Sequence, residues 1–330
     1  MLGGQGNDGA RIGYHCSHEQ FPPSRLLRLV ARAEKAGFNA ALNSDHFKPW
    51  SERNAESGYT WSFLGAAMHA TSIPFGVVCA PGQRYHPAIV AQGVATLDEM
   101  FPGRFWIALG SGQLLNEGIT GRGWPPKDVL NERLAQSASV IKRLLKGEEV
   151  THRGLITAER ARLYTLPRTA PPVLGAAQTE ATAGLIGQWA DGMITTSRPP
   201  EQLRDMIEAF RRGGGEGKPI VVKCQISYSR DEERADHEAW EQWRTHAFPS
   251  TITTEIEHPE QFDVLSQNVR REDVQKKVFI SSDPDRHVEM IQQYIELGVT
   301  DIYLHNVNLE QEEFIDDFGR KVLPLFLNGG

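Results

Sequence analysis

The strongest constraint on the fold is an alternation of short apolar runs with segments whose apolar residues recur at helical spacing, which continues along almost the whole chain. Short apolar runs between turn residues predict buried strands, and the spaced pattern predicts helices that pack on them. Strands that alternate with helices are typical of a parallel sheet. Eight strands are predicted in this way, at residues 11–17, 38–42, 75–79, 104–109, 173–177, 192–196, 220–228 and 301–305.

These strand–helix units predict a (β/α)₈ TIM barrel that forms a single domain over residues 11–330. Such a barrel needs ~250 residues, so the remainder of the chain is assigned to insertions. One insertion, near 147–170, is predicted to be extended or a hairpin. The other, near 248–277, is predicted to be mainly irregular apart from a short helix near Arg271. Residues 1–10 are Gly-rich and are predicted to be a flexible N-terminus. A doubly wound open sheet is the alternative, but its usual Gly-rich phosphate fingerprint is missing after the first strand.

Composition limits the class of partner. A net charge of −7 and a pI near 5.9 argue against a nucleic-acid partner. No apolar stretch approaches the ~20 residues that cross a bilayer, and the N-terminus lacks the apolar core of a signal peptide. Cys16, Cys79 and Cys224 are too widely separated for a metal motif or a disulfide framework. We therefore expect a cytoplasmic protein without a membrane partner.

Polar residues gather directly after the predicted strands. In a (β/α)₈ barrel the active site lies at the carboxyl ends of the strands, so these residues are expected to meet around one mouth. In chain order they are His18 and Glu19, Asp45 and His46, Arg84 and His86, Gln113 and Asn116, Gln178 and Thr179, Thr195 to Arg198, and His305 with Asn306.

The stretch from Asn43 to Trp50 is the densest of these groups. Asp45, His46 and Trp50 place a carboxylate, an imidazole and an indole within a few positions, which together can hold a proton and stack on a flat ring. The alternative is purely structural. In that case Asp45 caps a turn, His46 is a half-buried histidine and Trp50 belongs to the core.

The sequence signals for other classes of site are weaker. The histidines at 15, 18, 46 and 86 lack the spacing of zinc ligands, so no metal site is predicted. No Gly-x-Ser-x-Gly nucleophile elbow occurs. Residues 175–179, Gly-Ala-Ala-Gln-Thr, pass directly into a predicted helix, where free amide groups can bind a phosphate. Ordinary tight packing of small residues is the alternative for that segment.

The order of these motifs resembles the luciferase-like monooxygenase superfamily. Within it, the chain is similar to the coenzyme F420-dependent glucose-6-phosphate dehydrogenases and to the related probable non-F420 flavin-type oxidoreductases. The resemblance runs from Arg11 to the end and implies a bacterial-luciferase-like barrel that lays a flavin or deazaflavin ring across its mouth. Its specific landmark is Ser-Asp-His-Phe-x-Pro-Trp at residues 44–50, and residues 18–21, 84–87, 102–104, 110–117 and 282–285 support it.

The resemblance also implies roles for single residues. Asp45 would hold the polar edge of the ring, His46 would face the reacting carbon, and Trp50 would stack over the ring or wall the substrate side. Val77, Val78 and Cys79 match a bulge with a non-proline cis peptide against the back face of the ring. The residues matched to the cofactor phosphate are Gly175, Ala176, Ala177, Gln178 and Thr179, with Thr195 close to them and Asn116 also assigned to the cofactor.

The chain departs from the sugar-phosphate dehydrogenases at two positions. Gln113 stands where those enzymes have a glutamate that handles a proton, and an amide cannot exchange that proton at neutral pH. Glu19, Glu117 or a water would have to substitute, or the reaction differs. The residues assigned to the substrate are Arg198, which stands in place of a lysine that binds the sugar phosphate, and Lys276 and Lys277 as possible basic partners.

The resulting hypothesis is an oxidoreductase that uses F420 or FMN and moves a hydride between an alcohol or sugar-like substrate and the ring. His46 is the expected general base, since an imidazole titrates near neutral pH, and Trp50, Gln113 and Glu19 complete the catalytic set. One alternative is a two-component monooxygenase that takes reduced FMN from a separate flavin reductase. A second is a non-catalytic flavin-binding barrel. The expected assembly is a homodimer that acts on a small molecule.

Overall fold

A closed barrel is the central feature of the computed structural model, which describes residues 10–53 and 56–327. Eight parallel strands pair in chain order, and the eighth pairs with the first to close the ring. The predicted (β/α)₈ fold is therefore confirmed. Residues 1–9 of the predicted flexible N-terminus lie outside the described residues. From first to eighth, the barrel strands are Arg11–Cys16, Ala41–Ser44, Phe75–Cys79, Phe105–Leu109, Val173–Ala176, Met193–Thr196, Ile220–Ser227 and Asp301–Asn306.

Helices cover the outside of the barrel, and several start at residues suited to a helix N-terminus. Pro87 occupies a first turn, where its missing N–H costs nothing, and His86 Nδ1 accepts a hydrogen bond from Ala88 N (3.1 Å). Asp231 accepts one from Arg234 N (2.8 Å). The α-helices are Pro23–Ala36, Thr60–Ala70, Pro87–Met100, Leu114–Glu117, Lys127–Leu145, Glu180–Gly187, Pro200–Phe210, Glu232–Trp243, Ser250–Thr253, Pro259–Leu265, Arg271–Gln275, Pro284–Glu296, Gln311–Lys321 and Pro324–Leu327. Shorter helical turns are the 3₁₀ segments Gly118–Thr120, Arg244–His246 and Ser266–Asn268, and the π-helical segment Arg211–Gly215. None of the helices in the described ranges is both long and apolar enough to span a membrane.

The barrel interior is filled by two large rings. Trp106 and Tyr303 lie with their ring centroids 5.9 Å apart, and small or branched side chains of the neighbouring strands surround them. The facing positions must be small: a Cβ on Gly76 would lie 2.1 Å from Trp106, and one on Gly13 would lie 2.3 Å from Tyr303. A separate apolar layer joins the outer faces of the strands to the helices. Because the rings block the middle of the barrel, a ligand can enter the barrel only near its rim.

The two insertions differ from each other. The first is an antiparallel hairpin of Val150–Arg153 and Thr157–Ala161, one of the two predicted forms. For the second, the prediction of a mainly irregular segment is wrong. It contains the helices Ser250–Thr253, Pro259–Leu265 and Arg271–Gln275, followed by the strand Phe279–Ile280, which pairs with the seventh barrel strand. These helices have between four and seven residues, too few turns for a helical period to stand out in the sequence.

Local backbone turns determine where several helices and strands begin and end. Gly37, with φ 108°, ends the first helix, and Phe38 N donates back to Ala33 O (3.0 Å), so the second strand starts at Ala41 rather than at residue 38. The helix that begins at Gln311 ends at Lys321. Pro324 then begins a short helix of its own, since proline is well suited to a first helical turn.

The Trp106 packing gives a stability prediction. Gly76→Ala forces a methyl group into the indole, and such overpacking costs roughly 1–3 kcal/mol. The matched control is Gly65→Ala in the helix Thr60–Ala70, where a new Cβ meets no atom within 4 Å; it should stabilise by about 0.5–1 kcal/mol, because glycine is unfavourable inside a helix. Urea unfolding of both variants measures the difference, and equal stabilities would show that the barrel interior is not tightly packed there.

Candidate active site

The mouth of the barrel is marked by side chains that are partly exposed within otherwise buried strands. Val78, Ala176, Thr196 and Lys223 each lie beside buried strand neighbours. Side chains alternate between the two faces of a strand, so these residues face the barrel interior while their neighbours pack against helices. The strand register pairs Lys223 with Thr196, which places the two at one level. The opening therefore lies at the carboxyl ends of the strands, as predicted.

One half of this mouth has small, uncharged walls. Val78, Gly110 and Ala176 come from the third, fourth and fifth strands or directly after them, and all three are partly exposed. A Cβ built on Gly110 would meet only the Cβ of Ala176, 3.7 Å away. This half has room for the face of a flat heterocycle and no charge that would oppose an apolar ring.

The other half carries a hydrogen-bonded carboxylate and imidazole. Glu19 Oε1 and His46 Nδ1 are joined by a short hydrogen bond, although the two residues follow different strands. Burial alone would raise the pKa of Glu19, but the facing His46 and the Lys223 ammonium outweigh burial and hold that pKa below its ordinary range. An ionised carboxylate only accepts hydrogen bonds, so Nδ1 is the donor. Nε2 of His46 is left to accept a proton from a ligand.

The loop that carries His46 is held by two residues from the predicted set. Asn116 Oδ1 accepts hydrogen bonds from Phe47 N (2.8 Å) and Lys48 N (3.1 Å). Asn116 Nδ2 donates in turn to Gln113 Oε1 (3.3 Å). The structure thus brings Gln113 and Asn116 beside His46, with Gln113 orienting Asn116 and Asn116 fixing the loop backbone.

Trp50 forms a wall beside His46. The two rings meet edge to face with centroids 5.7 Å apart, and Trp50 also packs against His246 (4.7 Å) and Phe262 (5.1 Å). His246 and Phe262 come from the chain after the seventh strand, so this wall is built largely by that segment. Burial lowers the pKa of His246 to about 3, which leaves its ring uncharged at neutral pH.

The carboxylate of Asp45 is hydrogen-bonded to other side chains of the protein. It accepts hydrogen bonds from Trp61 Nε1 (3.3 Å), Tyr85 OH (3.3 Å) and Arg84 Nη2 (3.4 Å), and only 1% of the Asp45 side chain is exposed. Arg84 Nη2 also donates to the Asp45 carbonyl (2.7 Å). In this structure the carboxylate fastens the second strand to the loop after the third. The ring contact assigned to Asp45 stays a prediction.

A second buried carboxylate, Glu117, completes this network. Its Oε2 accepts a hydrogen bond from Arg84 N (2.8 Å), and its Oε1 lies 3.4 Å from Arg84 Nε. Burial raises the pKa of Glu117, and the guanidinium of Arg84 opposes that rise. Arg84 is therefore the shared cation of two buried carboxylates, behind the small-residue half of the mouth.

The segment Val77–Cys79 differs from its prediction. It runs in regular parallel register with both neighbouring strands, and the described residues contain no cis peptide bond. The expected bulge with a cis peptide is therefore wrong for this structure. A trans bond keeps the ladder intact on both sides and avoids the ~3–4 kcal/mol cost of a non-proline cis bond.

The predicted phosphate segment lies across the mouth from His46. Thr179 caps the helix Glu180–Gly187 by accepting from Thr182 N (3.3 Å), and Gln178 is exposed beside it. Arg198 Nη2 donates to Thr195 Oγ1 (2.8 Å) and Arg198 Nη1 lies 3.5 Å from the Gln178 carbonyl. Arg198, predicted to bind substrate, is thus in contact with two residues assigned to the cofactor.

Arg198 also lines a cavity of about 740 Å³ together with Lys276 and Lys277. The cavity lies between the ends of the sixth and seventh strands and the helices Arg271–Gln275 and Pro284–Glu296. Lys276 Nζ is paired with Asp273 (3.0 Å). His46, Glu19 and Trp50 are not among the lining residues. The structure therefore brings the three predicted substrate residues together but places them in a separate cavity from the His46 pair.

The sequence analysis did not predict that Lys223 would lie among His15, His246 and His305. His15 and His305, with ring centroids 4.5 Å apart, are buried under the mouth, and burial lowers the pKa of both well below the ordinary value. Lys223 was overlooked although a lysine inside an apolar strand pattern is itself a signal. Within the described part of the chain, no cluster of three or more His, Cys, Asp or Glu could hold a metal ion.

The Arg84 network gives a pH-dependent prediction. Arg84→Gln leaves two buried carboxylates without their cation and should cost about 3–5 kcal/mol near pH 8. Losing Arg84 raises the pKa of Glu117 further, and a raised pKa favours the folded state below that pKa, so the cost should shrink toward pH 5. Arg153→Gln, which breaks the exposed pair with Glu159, is the control and should leave stability nearly unchanged at both pH values. A cost independent of pH would contradict the assigned role of Arg84.

Comparison with known proteins agrees with the barrel fold described above. The family model for luciferase-like monooxygenases matches residues 7–301. The F420-dependent glucose-6-phosphate dehydrogenase of Nakamurella multipartita is 33% identical over 325 residues, which cover 95% of this chain and 96% of the relative. An F420-dependent secondary alcohol dehydrogenase solved with an F420–acetone adduct has a TM-score of 0.90 at 28% identity, and the match covers 95% of this chain and 98% of that one. The F420-dependent tetrahydromethanopterin reductase of Methanopyrus kandleri has a TM-score of 0.77 at 22% identity, covering 97% and 99%, and shows the same fold. The chain belongs to the luciferase-like monooxygenase family.

Proposed function

We propose that this oxidoreductase transfers a hydride between the carbinol carbon of an alcohol and coenzyme F420, with His46 as the general base. The observation that carries the proposal is the Glu19–His46 hydrogen bond at the edge of the mouth, opposite a small uncharged wall. The names of the relatives support F420 as the cofactor, because both the glucose-6-phosphate dehydrogenase and the secondary alcohol dehydrogenase are named as F420-dependent.

The two residues divide the work of moving the proton. Glu19 fixes the tautomer of His46 by accepting from Nδ1, which leaves the Nε2 lone pair to take the hydroxyl proton of the substrate. After proton uptake the imidazolium is stabilised by the same carboxylate. Trp50 limits the positions that a substrate can take beside His46 and keeps water away from one side of it.

The residues present fit a deazaflavin. Val78, Gly110 and Ala176 leave the open, uncharged half of the mouth for a ring, and the segment 175–179 with Arg198 offers donors for a phosphate. When bound, F420 supplies a two-electron hydride acceptor. The chain itself binds, orients and handles the proton.

Oxidation of an alcohol by a single base fits this site better than the glutamate-assisted reaction of a sugar-phosphate dehydrogenase. Gln113 cannot exchange a proton at neutral pH and is engaged with Asn116. The base must then be the Glu19–His46 pair, which is sufficient for removing one hydroxyl proton. The cavity of Arg198, Lys276 and Lys277 is separate from this pair, and none of the three residues takes part in the proposed proton transfer.

Cofactor choice is tested by titrating the purified chain with F420 and with FMN and following binding by fluorescence and calorimetry. We expect F420 to bind at least tenfold more tightly, and F420 to be reduced under anaerobic conditions when a secondary alcohol such as 2-butanol is added. Oxygen consumption with chemically reduced FMN, in the absence of alcohol-dependent F420 reduction, would instead support the two-component monooxygenase. Tight binding with no turnover of either kind would support a flavin-binding barrel.

His46→Ala tests the base directly. Loss of a positioned general base should lower kcat by roughly 10²–10⁴-fold, while F420 affinity changes little, because the ring wall is formed by other residues. The control is His69→Ala, an exposed histidine on the helix Thr60–Ala70, which should keep full activity. Unchanged turnover in His46→Ala would remove His46 from the mechanism.

A further inference from the structure

Lys223 is a cation in the mouth without a hydrogen-bonded partner. It is the partly exposed residue of the seventh strand, whose other residues are all buried. Its strand partners are Thr196 on one side and Tyr303 on the other, so its side chain rises from the barrel interior directly above the Trp106–Tyr303 layer. Its ammonium lies 5.9 Å from the ring centroid of Trp243 and makes no hydrogen bond or ion pair with another residue of the described ranges.

The histidines around Lys223 cannot balance its charge. His15, His246 and His305 surround it, and burial, with the Lys223 charge adding to it, lowers the pKa of each, so all three are neutral. Burial also lowers the pKa of Lys223, and the charge of Glu19 opposes this. Glu19 is therefore the carboxylate that keeps Lys223 charged, but its oxygen is already hydrogen-bonded to His46.

The mouth gains a positive charge during turnover. The proposed general-base role requires an uncharged His46 before the reaction, when the charges of Lys223 and Glu19 cancel. Once His46 holds the substrate proton, Glu19 is shared by two cations and the mouth carries one net positive charge. A fixed cation with an incomplete partner in a partly buried site favours a ligand that brings the missing anion.

We propose that Lys223 binds a carboxylate of the substrate, so that the alcohol oxidised at this site is a hydroxy acid. The inference rests on the proposed function and narrows its substrate class. In the reaction, the carbinol O–H bond breaks and gives its proton to His46 Nε2, while the carbinol C–H bond breaks and gives its hydride to oxidised F420. The product is the corresponding oxo acid, and its carboxylate remains with Lys223.

A carboxylate suits this position better than a phosphate. Lys223 is a single point charge with three donors, and the Glu19 carboxylate is close enough to influence its pKa. A phosphate dianion would need further cations and would be repelled by Glu19. The separate cavity is lined by the cations Arg198, Lys277 and Arg286, and His46 is not among its lining residues.

The test compares ligands that carry a carboxylate, its neutral amide or a phosphate beside the hydroxyl group. Calorimetry on the full chain without cofactor would measure the affinity for 2-hydroxybutanoate, for its neutral amide 2-hydroxybutanamide, and for 2-hydroxypropyl phosphate. We expect the carboxylate to bind roughly 10- to 100-fold more tightly than the amide, as a hydrogen bond to a charged group does. No preference for the carboxylate in the unaltered protein, or a stronger preference for the phosphate, would overturn the proposal.

Lys223→Met should abolish the preference for carboxylate over amide, and Lys223→Arg should keep most of it because a cation remains. Lys146→Met, at an exposed lysine away from the mouth, should leave the preference as it is. A ratio of affinities cancels general damage to the fold. A preference that persists in Lys223→Met would overturn the role of Lys223.

The same ligands separate this inference from the proposed function. Lys223-dependent carboxylate binding without any alcohol-dependent reduction of F420 would support the anion site and refute the reaction. Reduction of F420 by 2-butanol as efficiently as by 2-hydroxybutanoate, without a carboxylate preference in binding, would support the reaction and refute the role of Lys223.

Discussion

The packing of Trp106 against Tyr303 inside the barrel determines where this protein can bind a ligand. Two large rings close the middle of the barrel, and they fit there only because Gly13 and Gly76 present no side chain to them. Above this layer the inward positions are Val78, Ala176, Thr196 and Lys223, which remain partly exposed. The polar residues that follow the strands then border the opening.

Two buried ionic groups lie near this opening, and they differ in how many hydrogen bonds hold their charged side chains. Around Arg84, two carboxylates share one guanidinium and further hydrogen bonds from Trp61 and Tyr85, so the group is closed and holds strands together. Around Glu19, the carboxylate serves His46 and Lys223 at once, and Lys223 has no hydrogen bond of its own. A closed network stabilises a fold, whereas an open one is arranged for a ligand that completes it.

The sequence predicts the barrel well because strand burial and helix amphipathicity repeat eight times, and a parallel barrel fixes where the strand ends meet. That rule alone predicted that Glu19, His46, Gln113 and Asn116 would lie around the same mouth. It failed for the short helices Ser250–Thr253 and Pro259–Leu265, which have too few turns to show a period, whereas the short helix predicted near Arg271 is present. It also could not distinguish Asp45, whose carboxylate turns to Arg84, from His46, which faces the mouth, since neighbouring residues on a loop carry no pattern of direction. Lys223 was visible in the sequence, but its lack of a partner is a property of three-dimensional packing.

Gln113, in place of a glutamate, and Lys223 both make the charge of the mouth more positive. A glutamate at position 113 would lie beside Asn116 and add a negative charge near the loop of His46. The glutamine keeps the hydrogen bond to Asn116, and therefore the backbone position of Phe47 and Lys48, without that charge. Lys223 adds a positive charge from the opposite side of the same opening. The orientation of the loop is thus retained without an anion at position 113, and Lys223 supplies a cation. Both features favour the anionic substrate that we propose.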